Sequence, residues 1–399
     1  MSTSEHIRQL SKDLGEPGWL LAWREAKEKD AQTLPKELKY GIGIAGVLPG
    51  EEAVFDQMAE YHVEASKGIE LYTWKEAVAQ EEIAPILEGL LKSEFFPKAS
   101  NYFSATGQAH FRSGVVVYVQ PTLTETGELA TEKLALDAAV SSGSSADVVI
   151  VIAKEGAKLG MTSALSGGDG KCVFARTFVV LTERDAHVSV IQRSAANGTM
   201  LLSSRGIIAA HSSCVWSEVF SANAAIKSET DDQLVGEGAH AEILQGVVGK
   251  ETARYDIFSS ATHRASHTHS RIKAAGIADG ESKTVYRGLI DMKKGVSAVD
   301  GAQEARFLVL SEKATVDAIP SLDIASKDVQ CTHKLSIAHI RDTDTFYPKL
   351  RGLSDEESQR IFLEGHFAQV FSENTALMSE ISNNLDHTSP ALVPTDSAT

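Results

Sequence analysis

The sequence of 399 residues predicts a mainly β protein in which a stacked β-solenoid core sits between α-helical ends. Three observations predict it. Short strand-like runs fill the middle of the chain, a turn-plus-alanine signature recurs among them, and helical spacing of apolar residues is confined to the two ends.

Residues 1–105 read as the N-terminal helical region. Glu51 to Glu64 and Trp74 to Phe96 carry apolar residues three to four apart: Val54, Met58 and Tyr61, then Val78, Ile83, Ile86, Leu87 and Leu90. Trp19, Trp23 and Trp74 are expected to pack a helical core rather than to bind a ligand.

Residues 106–333 form the expected β core. VVVYVQ, DVVIVIA, CVFARTFVVL, HVSVIQ, RGIIAAH and FLVLS are β-branched and apolar, with small and polar residues between them. Glu155-Gly156-Ala157, Arg184-Asp185-Ala186, Glu237-Gly238-Ala239 and Glu312-Lys313-Ala314 place alanines 29, 53 and 75 positions apart, near one, two and three steps of about 25. Coils that each repeat a strand and a turn would produce such steps. A sandwich whose turns happen to fall at these intervals is the alternative.

Residues 334–382 return to helical spacing. Ser354 and Glu357 stand at capping-box distance and open a helix carrying Ile361, Phe362, Phe367, Val370 and Phe371. Residues 383–399, rich in Ser, Thr and Pro, read as a flexible tail.

Composition narrows the function. With 43% hydrophobic and 23% charged residues the chain can bury a large core. A net charge of −16 and a pI near 5.3 repel phosphate backbones, which argues against nucleic acid as a partner. No run of about 18 apolar residues suggests a membrane span, and the first residues lack the basic-then-apolar order of a signal peptide, so a cytoplasmic protein is expected. Cys172, Cys214 and Cys331 are too few and too scattered for a disulfide framework or an all-protein cluster cage. The sequence has no GxxxxGK[ST] phosphate loop, no GxSxG elbow and no HExxH pair, so a non-catalytic role is expected.

Two short motifs could hold metal. On a strand, His267 and His269 would share one face about 7 Å apart; a ladder of hydrogen-bonded surface side chains is the plainer reading. Cys331 and His333 also stand two apart, and a thiolate beside an imidazole suits iron or an iron–sulfur intermediate with further ligands from a second chain. A buried cysteine and a structurally satisfied histidine would look the same.

Longer stretches bear on that choice. Gly276 to Ile290 (GIADGESKTVYRGLI) resembles the G-x-x-x-G-x-S-x-x-x-Y-x-G passage of the SufB/SufD family of iron–sulfur cluster assembly proteins. Gln303 to Ser311 (QEARFLVLS), Val316 to Ile324 (VDAIPSLDI) and Asp328 to His333 (DVQCTH) follow in the family's order. Phe346 to Ser358 (FYPKLRGLSDEES) resembles the family's ending. The clear match runs from about residue 235 to 375.

This resemblance implies a right-handed parallel β-helix between helical ends, paired through that β-helix with a SufB-like paralogue or with itself. It implies a SufC-like ATPase docked on the C-terminal helical segment, where Phe346, Tyr347, Arg351, Gly352 and Ser354 are candidate contacts. It implies a transient iron–sulfur cluster at the junction with the partner, and a flavin in the assembled complex as in some relatives. The family's SufD histidine carries over to His333, with Cys331 beside it. Where SufB carries its cysteine this chain has Gln303-Glu304-Ala305, which points to SufD and leaves Glu304 a weaker ligand candidate with His267 and His269. A structural homodimer that binds the ATPase without touching a cluster is the alternative. A β-helix enzyme acting on carbohydrate through Asp291, Asp300, Glu304 or Asp317 is a more distant one.

Overall fold

The computed structural model describes residues 3–36, 55, 57–140, 143–167, 172–340, 349–372 and 374–385. It is mainly β and contains a parallel β-solenoid of about 7 turns, with helices toward both termini.

The chain opens with α1 (Thr3–Leu14) and α2 (Gly18–Ala31). It then forms β1 (Glu60–Ala65), β2 (Ile69–Thr73), α3 (Trp74–Ala77), α4 (Ala84–Lys92) and α5 (Tyr102–His110). The expected helix over Glu51 to Glu64 is corrected: Glu60–Ala65 is a strand, antiparallel to the first sheet strand that follows, and residues 51–54 and 56 lie outside the described residues. Trp74 to Phe96 is two short helices rather than one. The tryptophans do pack a core: Trp23 Nε1 donates to Leu91 O at 2.9 Å and Trp74 Nε1 to Val148 O at 2.8 Å.

From Ser113 on, strands alternate between two sheets. One holds β3 (Ser113–Val119), β5 (Ser144–Ala153), β7 (Val173–Thr182), β9 (Thr199–Ile208), β11 (Ala225–Leu234), β13 (Arg254–His263), β15 (Lys283–Met292) and β17 (Thr315–Ile324). The other holds β4 (Thr131–Val140), β6 (Lys158–Gly167), β8 (His187–Ser194), β10 (Ser213–Phe220), β12 (His240–Gly249), β14 (His269–Ala278), β16 (Val299–Val309) and β18 (Val329–His339). All these neighbours pair parallel, while β1 and β2 add antiparallel at the N-terminal end.

Register turns each inward position into a column of side chains about 4.8 Å apart. Leu134, Met161, Val190, Trp216, Ile243 and Ile272 stack on successive rungs, and all are buried. Trp216 meets Phe178 of the opposite sheet edge-on, centroids 5.2 Å apart. Burying one such aromatic contributes roughly 2–3 kcal/mol, so a column repeated over coils holds the two sheets together.

The repeat is longer than the expected 25. Lys158, His187, Ser213, His240, His269 and Asp300 are register neighbours on successive rungs, giving steps of 26 to 31 residues. Gly156, Asp185, His211, Gly238, His267 and Ala298 occupy one corner of consecutive coils, all with positive φ. Each is followed by an inward residue, among them Ala157, Ala186 and Ala239. A β-carbon on Gly238 would come within 2.6 Å of His211 Nδ1, so glycine suits both the left-handed turn and the tight stacking. Ala314 belongs to the other corner, because it precedes β17 of the opposite sheet; counting it with the first three shortened the apparent step.

Helices α6 (Asp355–Phe371) and α7 (Thr375–Asn383) fold back onto the outer face of the β10–β16 sheet. Ser354 caps α6 as expected: its hydroxyl accepts from Glu357 N at 3.1 Å, and Glu357 Oε2 accepts from Ser354 N at 2.8 Å. Leu363, Phe367, Val370 and Phe371 pack with Leu244, Ala275, Ile277 and Leu308, whereas Ile361, read as part of that face, is exposed. The tail beyond Leu385 lies outside the described residues. No helix among the described residues is long and apolar enough to cross a membrane.

Candidate cluster-ligand site

The last coil of the solenoid is open. Among the described residues β17 pairs only with β15 and β18 only with β16, so each presents a backbone edge without a partner strand there. Ile319, Ile324, Leu335 and Ile337 are exposed there.

Cys331 and His333 lie on β18, and register decides where they point. His333 stands beside Gln303, which stands beside Ile272, so it continues the inward column that begins at Leu134. Cys331 stands beside Gly301 in the column running through Ser270, Ala241 and Cys214. Both donors therefore share the inner face of the terminal coil. Cys331 is half-buried against the apolar interior and His333 is exposed, with no further coil over it among the described residues. Burial pushes the Cys331 thiol up, and the Asp300 carboxylate adds to it. A thiol so disposed becomes a ligand only when a metal displaces its proton.

Gln303 was not singled out as a participant, yet it floors the site. Its Nε2 donates to Ser321 O at 3.1 Å, its Oε1 has no partner, and Gly288 leaves the space it fills. The break from apolar to polar along the column at Gln303 and His333 is the signal that finds it, and only a known register reveals that column.

The weaker candidates separate. Glu304 is one residue out of phase with Gln303, faces outward, and pairs with Arg306 Nε at 2.6 Å. His267 occupies the left-handed turn before β14, not a strand, so it does not share a strand face with His269. His267 lies 3.9 Å from Glu237, and His269 lies 3.8 Å from Asp300. Among the described residues, no group of three or more His, Cys, Asp or Glu side chains could hold a metal ion.

The carboxylates of the carbohydrate reading do not converge. Asp291 pairs with Lys293 on one sheet, Asp300 with Arg271 and Glu304 with Arg306 on the other.

Of the ATPase-contact candidates, Phe346 and Tyr347 lie outside the described residues. Arg351 and Gly352 form the turn before α6, where Gly352 has φ 89° and its amide donates to Lys349 O at 3.0 Å. The Ser354 hydroxyl is occupied by capping. Leu350 is exposed next to that turn, and Ile361 is exposed farther along α6.

The comparisons with known proteins bear on the family. Residues 136–366, more than half of the chain, match the family described as SUF system FeS cluster assembly, SufBD core domain. The chain is 24% identical over 377 residues to an iron-sulfur cluster assembly SufBD family protein of Staphylococcus saprophyticus, covering 91% of this chain and 78% of that one. It is 23% identical, with the same coverage, to proteins of the same description from Staphylococcus aureus and Staphylococcus epidermidis. A parallel solenoid with a matching core and relatives aligned over nine-tenths of its length identifies the chain as a member of the SufBD family of iron–sulfur cluster assembly proteins.

Proposed function

We propose that this chain is a SufD-like, non-catalytic scaffold subunit of a cytoplasmic Suf assembly complex, offering His333, with Cys331 beside it, to a cluster completed by a partner chain. The observation that carries the reading is the shared inner-face position of these two donors on an open terminal coil. Two donors leave further iron coordination positions to be filled from elsewhere, and the edges of β17 and β18 offer a partner a place to bring them. Glu304, turned outward and paired with Arg306, is the least suited of the candidates.

The partner at the open coil is a SufB-like paralogue or a second copy of this chain; the absence of a cysteine at residues 303–305 favours the paralogue. A SufC-like ATPase would grip the segment around Arg351 and Gly352 with the start of α6. Its closure on ATP would pull on α6 and α7, and since these pack on β10 to β16 the force would reach the coil that carries His333. In this division the helices of residues 1–105 and the C-terminal α6 and α7 brace the β core, which runs past the expected boundary at 333 to the end of β18 at His339, and transmit load.

The resemblance also allows a flavin in the complex. The depression of about 550 Å³ beside β18 is lined by His269, Asp300, Lys327, Asp328 and Gln330, with no Trp, Tyr or Phe face for an isoalloxazine ring to stack on. These residues do not fit the group.

Co-expression with SufB-like and SufC-like partners, followed by anaerobic reconstitution, tests the proposal. The complex is expected to form for wild type and His333→Ala alike, with cluster retained only by wild type. Full retention by His333→Ala makes the histidine structural and the chain a mechanical subunit. Failure of wild type to form a complex overturns the assignment.

A further inference from the structure

Glu218 is fully buried in the solenoid on β10, and the groups around it form a ladder. Its register neighbours are Gln192 on β8 and Gln245 on β12. Gln245 Nε2 donates to Glu218 Oε2 at 2.7 Å, and Thr230 Oγ1 lies 3.0 and 2.9 Å from its two oxygens. Ser259 Oγ in turn donates to Gln245 Oε1 at 2.5 Å. On the other side Gln192 is buried, and neither of its amide atoms has a partner.

An ionised carboxylate here would need a cation, and the packed elements supply none to it. The opposite sheet presents Thr230 and Asp232 from β11, Ser259 from β13 and Tyr286 from β15; β10 itself adds Cys214. Asp232, Tyr286 and Cys214 can only add negative charge. Arg176 reaches Ser163, on the rung beyond Gln192, but is paired with Asp147 at 2.5 Å. Arg205 and Arg193 belong to the outer faces, paired with Asp231 and Glu380.

The outer side of the same strand carries α7. Asn374 Nδ2 donates to Ser217 Oγ at 2.9 Å, and Ile381 fills the space over Gly246 of β12. Glu218 lies directly behind that seat.

We propose that Glu218 is held as a neutral carboxylic acid, its proton donated to Gln192 Oε1, and that its deprotonation loosens β10 and the seat of α7, a pH-sensitive device built into the solenoid. The neutral form gives the Gln192 oxygen a donor, whereas the ionised form is a fully buried charge with no cation beside it, held only by hydrogen bonds from neutral groups.

The pH window follows from burial, which pushes Glu218 up to about 7 against the pull of its Gln245 and Thr230 hydrogen bonds. Between the ordinary glutamate value of 4.5 and about 7, only the folded chain keeps the proton. This stabilisation is complete below the lower value and lost as pH rises through the upper one. Asp232, pushed by burial up to about 8, has the same sign and must be separated from it.

Hydrogen exchange of the full chain at pH 6 and pH 8, corrected for intrinsic rates, tests the device in wild type, Glu218→Gln and Asp232→Asn. Wild type and Asp232→Asn are expected to lose protection in β10 and α7 by tenfold or more at pH 8, and Glu218→Gln is expected to keep it. Equal pH-dependent loss in Glu218→Gln and wild type overturns the proposal. Should Glu218→Gln fail to fold, infrared titration of wild type decides. Loss of a protonated-carboxyl C=O band between pH 6 and 10, with an amplitude of two groups and not of Asp232 alone, supports the proposal; a single-group amplitude contradicts it.

Discussion

His333 stands directly beside Gln303 on the next rung, at the open end of a column that is apolar from Leu134 to Ile272. A position that elsewhere in the solenoid holds Trp216 or Ile243 here holds an imidazole over an amide with an unpartnered oxygen. The core pattern does not require a polar pair at that place. A partner closing the coil would find a donor already aimed into the junction.

The open edge should behave as an interface. Ile337→Asp puts a charge on a side chain that is 42% exposed on the inner face beside Phe307, so the isolated chain should lose no more than about 1 kcal/mol of stability. If the proposed SufB-like partner docks on this coil, its binding should weaken by at least tenfold, about 1.4 kcal/mol or more. Chemical denaturation and a titration monitored by fluorescence anisotropy measure the two effects separately.

Gly246 makes room for Ile381, since a β-carbon there would come within 2.6 Å of Ile381 Cδ1. Gly246→Val should therefore displace α7, costing about 1–3 kcal/mol, while leaving the strand register intact. Protection against hydrogen exchange should fall in α7 and stay unchanged in β4 to β8.

His263 supplies an acid limb to the stability curve. It is buried between Thr268 Oγ1 at 2.7 Å and Ser270 Oγ at 2.8 Å, and burial lowers it to about 4, with His269 adding to the effect. The folded value lies below the ordinary 6.5, so its contribution is complete above that pH and lost as pH falls toward 4, about 3 kcal/mol in all. His263→Gln should flatten the fall in melting temperature between pH 6.5 and 4. Glu218 and Asp232 slope the other way, so the variant should become relatively more stable in acid.

Ser354→Ala removes half of the capping box. It should cost about 1 kcal/mol and raise hydrogen exchange in the first turn of α6, measurable at the Glu357 amide.

Much of this architecture could be read from local chemistry. The Ser354–Glu357 box needs only its own turn, and Gly156, Asp185 and Gly238 mark turns wherever they lie. What local reading missed was decided by distant pairing. Glu60–Ala65 carries Tyr61 at a spacing that continues Met58 helically, but pairing with β4 fixes it as a strand. Ala314 looks like its three counterparts yet turns into the other sheet. His267 and His269 stand two apart on paper, while the positive φ of His267 takes it off the strand. The inward direction of Cys331 and His333 needs the phase of the whole column.

His333 is proposed to ligate a cluster shared with a partner. Pulsed electron paramagnetic resonance of the reduced complex, with ¹⁵N-histidine incorporated only into this chain, tests it most directly. Wild type is expected to show a strongly coupled nitrogen that disappears in His333→Ala. A cluster signal without that coupling in wild type, or with it unchanged in the variant, would contradict it.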